Sequence, residues 1–271
     1  MNINIKVSFL FFKLLILYNY NDMKRIRTIL NSLKGGVIAF SGGKDSLTLC
    51  LLAREIFGKN YLCVTVKFPY THNWTVEKAR ELAKRFSLNH RVLELPMPYE
   101  LRENQPLRCY WCKKRMFQAL KKYTKRGWKV MEGSVYSEEG REGLRAAWEE
   151  GVISPFIKAR VGNRAIKKYL TEVGVEDIPS ETCLLTRIPR WEKVDIETLK
   201  KIERLEDFLR ENGITKVRAR WHRGLIRIEI ERKNLKKAFK IKEKIVREGK
   251  SLGFSFVTLD LAGYKEGSMN Y

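Results

Sequence analysis

The chain has 271 residues, enough for about two domains at the usual ~100–200 residues each, and with 44% apolar and 31% charged residues it is neither disordered nor fibrous. Lys and Arg number 54 against 31 acids, a net charge of +23, which makes polyanions such as nucleotides or nucleic acid natural partners. Five cysteines, an odd number without secreted-style clustering, argue against a disulfide framework and for a reducing cytoplasm.

In chain order, the run from Val7 to Tyr18 is strongly apolar but is interrupted by Lys13 and falls short of the ~18–20 residues that a membrane span needs. No small-residue cleavage site follows it, so no membrane partner is expected and residues 1–22 read as an extension outside the fold. From residue 37 short β-branched runs alternate with helical patterns: strand Val37–Phe40, helix Ser46–Phe57, strand Tyr61–Lys67, helix Thr75–Phe86, strand Arg91–Leu95, helix Lys113–Tyr123 and strand Lys129–Met131. Such alternation predicts an α/β fold, a doubly wound and mostly parallel sheet with helices on both faces. Residues 134–194 are rich in turn signals, with one short helix near Asn163–Val173, and read as active-site wall and linker. Asp195 is then a helix N-cap ahead of Leu199, Ile202, Leu205, Phe208 and Leu209, with Gly213 as the stop. A strand pair, Lys216–Trp221 and Leu225–Glu231, a basic amphipathic helix marked by Leu235, Ala238, Phe239, Ile245 and Val246, and a last strand Phe254–Leu259 complete a smaller α+β domain. The predicted division is 23–190 and 191–271.

Phe40-Ser-Gly-Gly-Lys-Asp-Ser46 joins the first strand to the first helix, and a strand that ends in a Gly pair and opens a helix aims several N–H groups and the positive helix end at one small volume suited to a phosphate. The kinase and GTPase loop would need a Gly where Ile38 stands and Ser or Thr directly after Lys44, where Asp45 stands. Both requirements fail. The stretch resembles instead the PP-loop of the ATP pyrophosphatase superfamily, whose members cut ATP between the α and β phosphates and attach AMP to a substrate oxygen. A plain turn would need neither Asp45 nor two flanking serines.

Cys109 and Cys112 form a CxxC, and Cys183 lies far downstream between two prolines, whereas Cys50 and Cys63 sit in apolar settings typical of core cysteines. A lone CxxC is ambiguous among zinc, redox and iron–sulfur chemistry. His72, His90 and His222 show no paired ligand spacing that would complete a zinc site. Three candidate thiolates remain, enough to hold a cubane cluster with one iron open, although ordinary four-iron clusters take four.

The stretches SGGKDS, RCYWCKK, EGSVYSEEGREGLRAA, GVISPF, PSETCLLTRIP, VRARWHRGLIRIEI and VTLDLAGYKEGSMN are similar, in order and approximate spacing, to the LarE-like sulfur transferases, from about residue 30 to the C-terminus. That resemblance implies an enzyme that adenylates a carboxylate of a pyridinium mononucleotide, releases pyrophosphate and installs sulfur. It implies ATP held by Ser41, Gly42, Gly43, Lys44, Asp45, Ser46 and Gly133, with Mg²⁺ placed by Asp45. The sulfur would come from Cys183 itself or from a 4Fe-4S cluster held by Cys109, Cys112 and Cys183. Arg187 would serve catalysis with Asp45 and Cys183, and Arg218 and Arg220 would bind the substrate phosphate unless they form a solvated strand face. Two departures stand out: the family more often reads SGGVDS, which leaves Lys44 either a phosphate contact or a solvent-facing charge, and EGSVYSEEG replaces an aspartate-rich stretch after Gly133.

The alternative is an RNA-modifying enzyme with tRNA as partner, since residues 213–250 carry fourteen Lys or Arg against four acids. A regulatory nucleotide-binding module without catalysis would have little reason to carry the CxxC and Cys183. Self-association stays open.

Overall fold

The computed structural model describes residues 23–175, 178–179 and 181–265, so the apolar run at Val7–Tyr18 lies outside the described residues. Among these, no helix is long and apolar enough to cross a membrane. The chain forms two compact units. The first comprises the described residues of Met1–Lys67, Asn73–Leu95 and Cys109–Glu181, and the second those of Phe68–His72, Pro96–Arg108 and Thr182–Tyr271.

In the first unit a helix, α1 (23–31), precedes β1 (Gly36–Ala39), α2 (Lys44–Phe57), β2 (Tyr61–Lys67), α3 (Asn73–Arg85) and β3 (His90–Glu94). There follow α4 (Arg108–Lys121), β4 (Lys129–Met131), α5 (Glu142–Glu149), α6 (Pro155–Lys158) and α7 (Asn163–Glu172). The four strands are parallel in the order β3-β2-β1-β4. Alternating side chains of β1 supply opposite faces: Ile38 packs with Leu47, Leu51, Phe156 and Ile166, while Val37 packs with Val64, Phe117, Leu120 and Val130. Burial on both faces explains the near-continuous apolar run of β2, Tyr-Leu-Cys-Val-Thr-Val. Cys50 and Cys63 are fully buried in this core, as their settings predicted.

The order places β2 and β3 on one side of β1 and β4 on the other. The chain reverses direction across the sheet there, and ligands of open α/β sheets bind in the crevice outside the carboxyl ends of the strands at such a point.

The second unit carries α8 (Ile196–Glu211), β5 (Val217–His222), β6 (Leu225–Ile230), α9 (Leu235–Lys240), α10 (Lys242–Ser251) and β7 (Phe256–Leu259). Its sheet is mixed, β5 antiparallel and β7 parallel to β6. Asp195 does cap α8, accepting from the N–H groups of Glu197 and Thr198. The single basic helix expected near 235–246 is two helices that part at Ile241, and Phe239 (54% exposed) and Val246 (40%) face solvent instead of a core.

Candidate active site

Backbone and hydroxyl groups fold the 41–46 loop on itself. The Ser41 N–H donates to Ser46 Oγ (3.2 Å), the Gly43 N–H to Ser41 Oγ (3.3 Å) and the Ser46 hydroxyl to the Gly43 carbonyl (3.1 Å). Gly42 takes φ +72°, and a Cβ there would stand 3.1–3.2 Å from Cβ and backbone atoms of Ala79 on α3. Gly43 ends the loop as the N-cap of α2 and offers no side-chain cap, so the first amides of a 14-residue helix carry their dipole into the space ahead of them.

That space is a cleft of about 250 Å³. Ser41, Gly43, Asp45 and Ser46 form one side of it; Glu132, Gly133 and Ser134, directly after β4, form another; Val64, Val66 and Met116 give an apolar wall. Asp45 Oδ1 is buried and has no hydrogen-bond partner among the described residues. Burial pushes its carboxyl up to about 6; Lys44 opposes the rise and Glu138, also in the cleft, adds to it. An orphaned carboxylate oxygen beside uncapped helix amides fits a divalent cation that bridges to phosphate oxygens.

Glu132 does not stand out in the sequence. It is 4% exposed and accepts from Lys113 Nζ (3.0 Å) and Ser134 Oγ (2.6 Å) on Oε2 and from Ser154 Oγ (2.6 Å) on Oε1. Its place immediately after a strand of the parallel sheet, β4, was the available signal. Gly133 beside it owes its identity to space: a Cβ would lie 2.9 Å from Ser46 N and 3.0 Å from the Asp45 carbonyl carbon. Gly133→Ala therefore pushes the β4 loop away from α2 at an overpacking cost of about 1–3 kcal/mol, and MgATP binding is expected to weaken by roughly tenfold in a calorimetric titration. Unchanged affinity would separate Gly133 from the nucleotide site.

The model for the Queuosine biosynthesis protein QueC family matches residues 35–109, from β1 to the start of α4. An uncharacterized protein of Methanocaldococcus jannaschii is 39% identical over 233 residues, covering 84% of this chain and 90% of that one. The Pyridinium-3,5-bisthiocarboxylic acid mononucleotide synthase of Lactiplantibacillus plantarum is 26% identical over 250 residues, covering 89% of this chain and 91% of that enzyme. The chain belongs to the PP-loop superfamily, among the LarE-like proteins. A Synechocystis protein, 27% identical over 261 residues and 97% covered, extends the same likeness across both units.

In this LarE-like chain Cys109 and Cys112 belong to the first unit, on the first turns of α4, three residues apart and therefore on one helix face. That turn is braced from α5: the Tyr110 hydroxyl donates to Glu149 Oε2 (2.6 Å), as Lys114 does (3.0 Å), and Arg145 reaches Oε1 (2.9 Å). These bonds, Tyr110's first, hold the Glu149 carboxyl down at about 2. Cys183 belongs to the second unit, as N-cap of the 3₁₀ turn Leu184–Arg187.

The arginines lie in the second unit and none is a solvated strand residue. Arg218 and Arg220 are each 5% exposed. Arg218 Nη1 donates to the Val217 carbonyl, and its guanidinium stands 5.4 Å from the Tyr264 ring centre. Arg220 pairs with Glu229 (3.0 Å) and donates to the Thr186 carbonyl (2.7 Å). Arg187 is fully buried, in a two-bonded pair with Glu206 through Nε (2.8 Å) and Nη2 (2.9 Å). Burial alone would push the Glu206 carboxyl up, but Arg187, His72 and Arg210 hold it down at about 2. Glu203 and Glu206 had a legible signal: both fall on the apolar stripe of α8 with Leu199, Ile202 and Leu209, where a glutamate calls for a partner.

Proposed function

We propose that this protein is an ATP-dependent sulfur transferase that adenylates a carboxylate of a pyridinium mononucleotide, releases pyrophosphate and replaces the activated oxygen with sulfur. The observation that carries the reading is the Asp45 carboxylate, buried and unpartnered at Oδ1 in a cleft at the switch point of the sheet. The likeness to the Lactiplantibacillus enzyme, whose name gives its product, supplies the substrate class.

The amides of Ser41–Ser46 would hold the β and γ phosphates, Asp45 would hold Mg²⁺, which would neutralise phosphate charge, and Lys44 would add charge at the same helix start. Gly133 lets the β4 loop close on α2, and the wall of Val64, Val66 and Met116 receives the base. A carboxylate oxygen attacks the α phosphorus and pyrophosphate leaves, which turns a poor leaving group into a good one, AMP. Sulfur then attacks the acyl carbon and expels AMP. The nucleophile would be the Cys183 thiolate; were a cluster bound, Cys109, Cys112 and Cys183, the three cysteines outside the core, would be its ligands and it would supply sulfide instead. Arg218 and Arg220 belong to the substrate-phosphate end of the second unit, each already oriented by its own partners.

The test is pyrophosphate release by the full chain with MgATP and a pyridinium carboxylate mononucleotide, followed by mass analysis for the thiocarboxylate. Both products are expected. The exposed basic residues of α9 and α10, Lys236, Lys240, Lys244 and Arg247 among them, support tRNA as the competing substrate. Pyrophosphate released with tRNA and not with the mononucleotide, together with salt-sensitive tRNA binding, would overturn the first reading in favour of the second.

A further inference from the structure

Arg187 offers nothing to a substrate as it stands: its side chain is fully buried and each guanidinium nitrogen has an acceptor. Nε and Nη2 face Glu206, and Nη2 also lies 3.2 Å from His72 Nε2. Nη1 gathers the start of the Cys183 turn, donating to Thr182 Oγ1 (2.7 Å), the Thr182 carbonyl (3.2 Å), Thr186 Oγ1 (2.8 Å) and, more weakly, the Cys183 carbonyl (3.4 Å). The Cys183 carbonyl also accepts from the Thr186 N–H (3.1 Å) and hydroxyl (2.9 Å). With that carbonyl held and the Cys183 backbone set as the N-cap (φ −63°, ψ 156°), the Cα–Cβ direction is defined and χ1 aims the thiol.

Glu206 is anchored in turn. Its Oε1 accepts the Ala219 N–H (2.8 Å), between Arg218 and Arg220 on β5, and its Oε2 accepts from Arg210 (3.0 Å). Arg220 returns to the same turn through the Thr186 carbonyl. The far side of the turn is held separately, by Asn104 Nδ2 at the carbonyls of Leu185, Ile188 and Pro189.

We infer that Arg187 and Glu206 form a buried clamp that aims the Cys183 thiol and keys it to the strand bearing Arg218 and Arg220, so that Arg187 is a positioning residue and not a contact of the substrate. The clamp follows from the second unit's own geometry; its consequence for turnover rests on the sulfur-transfer reading. The fork geometry is what matters, because Lys keeps the charge and cannot bridge Glu206 and the turn at once.

Two variants of the full chain test it. Arg187→Lys loses the fork, and Thr186→Val keeps the ion pair while removing one hydroxyl that joins it to the Cys183 carbonyl. Iodoacetamide labelling with peptide mass mapping reads the thiols, with Cys109 as internal reference. Cys183 labelling is expected to quicken roughly fivefold in Arg187→Lys and less in Thr186→Val, with Cys109 unchanged. Single-turnover sulfur transfer is expected to fall by about 100-fold in Arg187→Lys at an unchanged half-saturating mononucleotide concentration. Labelling unchanged in both variants would overturn the clamp, as would a higher half-saturating concentration with an unchanged rate, which would return Arg187 to the substrate. If Arg187→Lys does not fold, Thr186→Val carries the decision. Wild-type protein that transfers no sulfur would defeat the proposed function and leave the labelling to decide the clamp.

Discussion

Asp45→Asn is expected to lower pyrophosphate release by on the order of 100-fold or more and, in the same protein without ligand, to raise the melting temperature at pH 8. The two effects have one cause. Burial raises the folded-state carboxyl of Asp45 to about 6 from 3.8, so the folded chain favours the protonated form. Its contribution is fully present below the unfolded value and is lost as pH rises through about 6; at pH 8 the ligand-free protein carries an ionised, half-desolvated oxygen with no partner. Asn removes that charge and the cation ligand together. The stability gain should shrink towards zero near pH 4, and MgATP should reverse the order of the melting temperatures at pH 8, since ligand binding stabilises only the protein that binds it. MgATP affinity of the wild type should weaken below about pH 6, as protons compete for the carboxylate. Thermal unfolding at both pH values, with and without MgATP, measures all of this. A variant with near-normal turnover, or one that melts lower than wild type at pH 8, would remove Asp45 from the cation site.

Several elements of both units were legible because local rules suffice for them. The Gly pair between an apolar strand and a capped-by-nothing helix, the alternation along β6, and the N-cap at Asp195 each act within a few residues. The helical pattern starts at Lys113 whereas α4 starts at Arg108, since the turn Arg-Cys-Tyr-Trp-Cys has no apolar 3.6-residue period and is held by Glu149 from another helix. Helices α5 and α6, eight and four residues long, were lost among turn signals for want of length. The membership of residues 68–72 and 96–108 in the second unit was out of reach. The segments are tied there by His72 and Asn104, single polar residues whose partners, Arg187 and the 185–189 carbonyls, lie 81 or more positions away, and by backbone bonds such as Leu184 N–H to the Tyr70 carbonyl and Val194 N–H to the Arg102 carbonyl. For the same reason Arg187 reads in sequence as a residue four positions from Cys183, available to a substrate; its acceptor Glu206 enters only through the fold.

The last expected result concerns the three cysteines as a set. If Cys109, Cys112 and Cys183 hold one cluster, replacing any one by Ser should lower iron and acid-labile sulfide together in anaerobically purified protein, and all three variants should lose sulfur transfer while keeping MgATP binding, because a cluster left with two protein thiolates is poorly retained. If Cys183 is the sulfur donor itself, only Cys183→Ser should be inactive. Its Cβ–Sγ bond would then break as the Cα proton leaves, the sulfur departing with the product and dehydroalanine remaining at 183, so that the spent chain is lighter by one hydrogen sulfide. The two outcomes separate in one pair of measurements, metal analysis before turnover and intact mass after it. The cluster is the expected one. Cys109 and Cys112 share one face of a helix turn that Tyr110, Lys114 and Arg145 brace through Glu149, and a sacrificial Cys183 gives that braced pair no task. Fully active protein without iron would overturn the assignment, and would leave the clamp at Arg187 as the device that presents a thiol to be consumed.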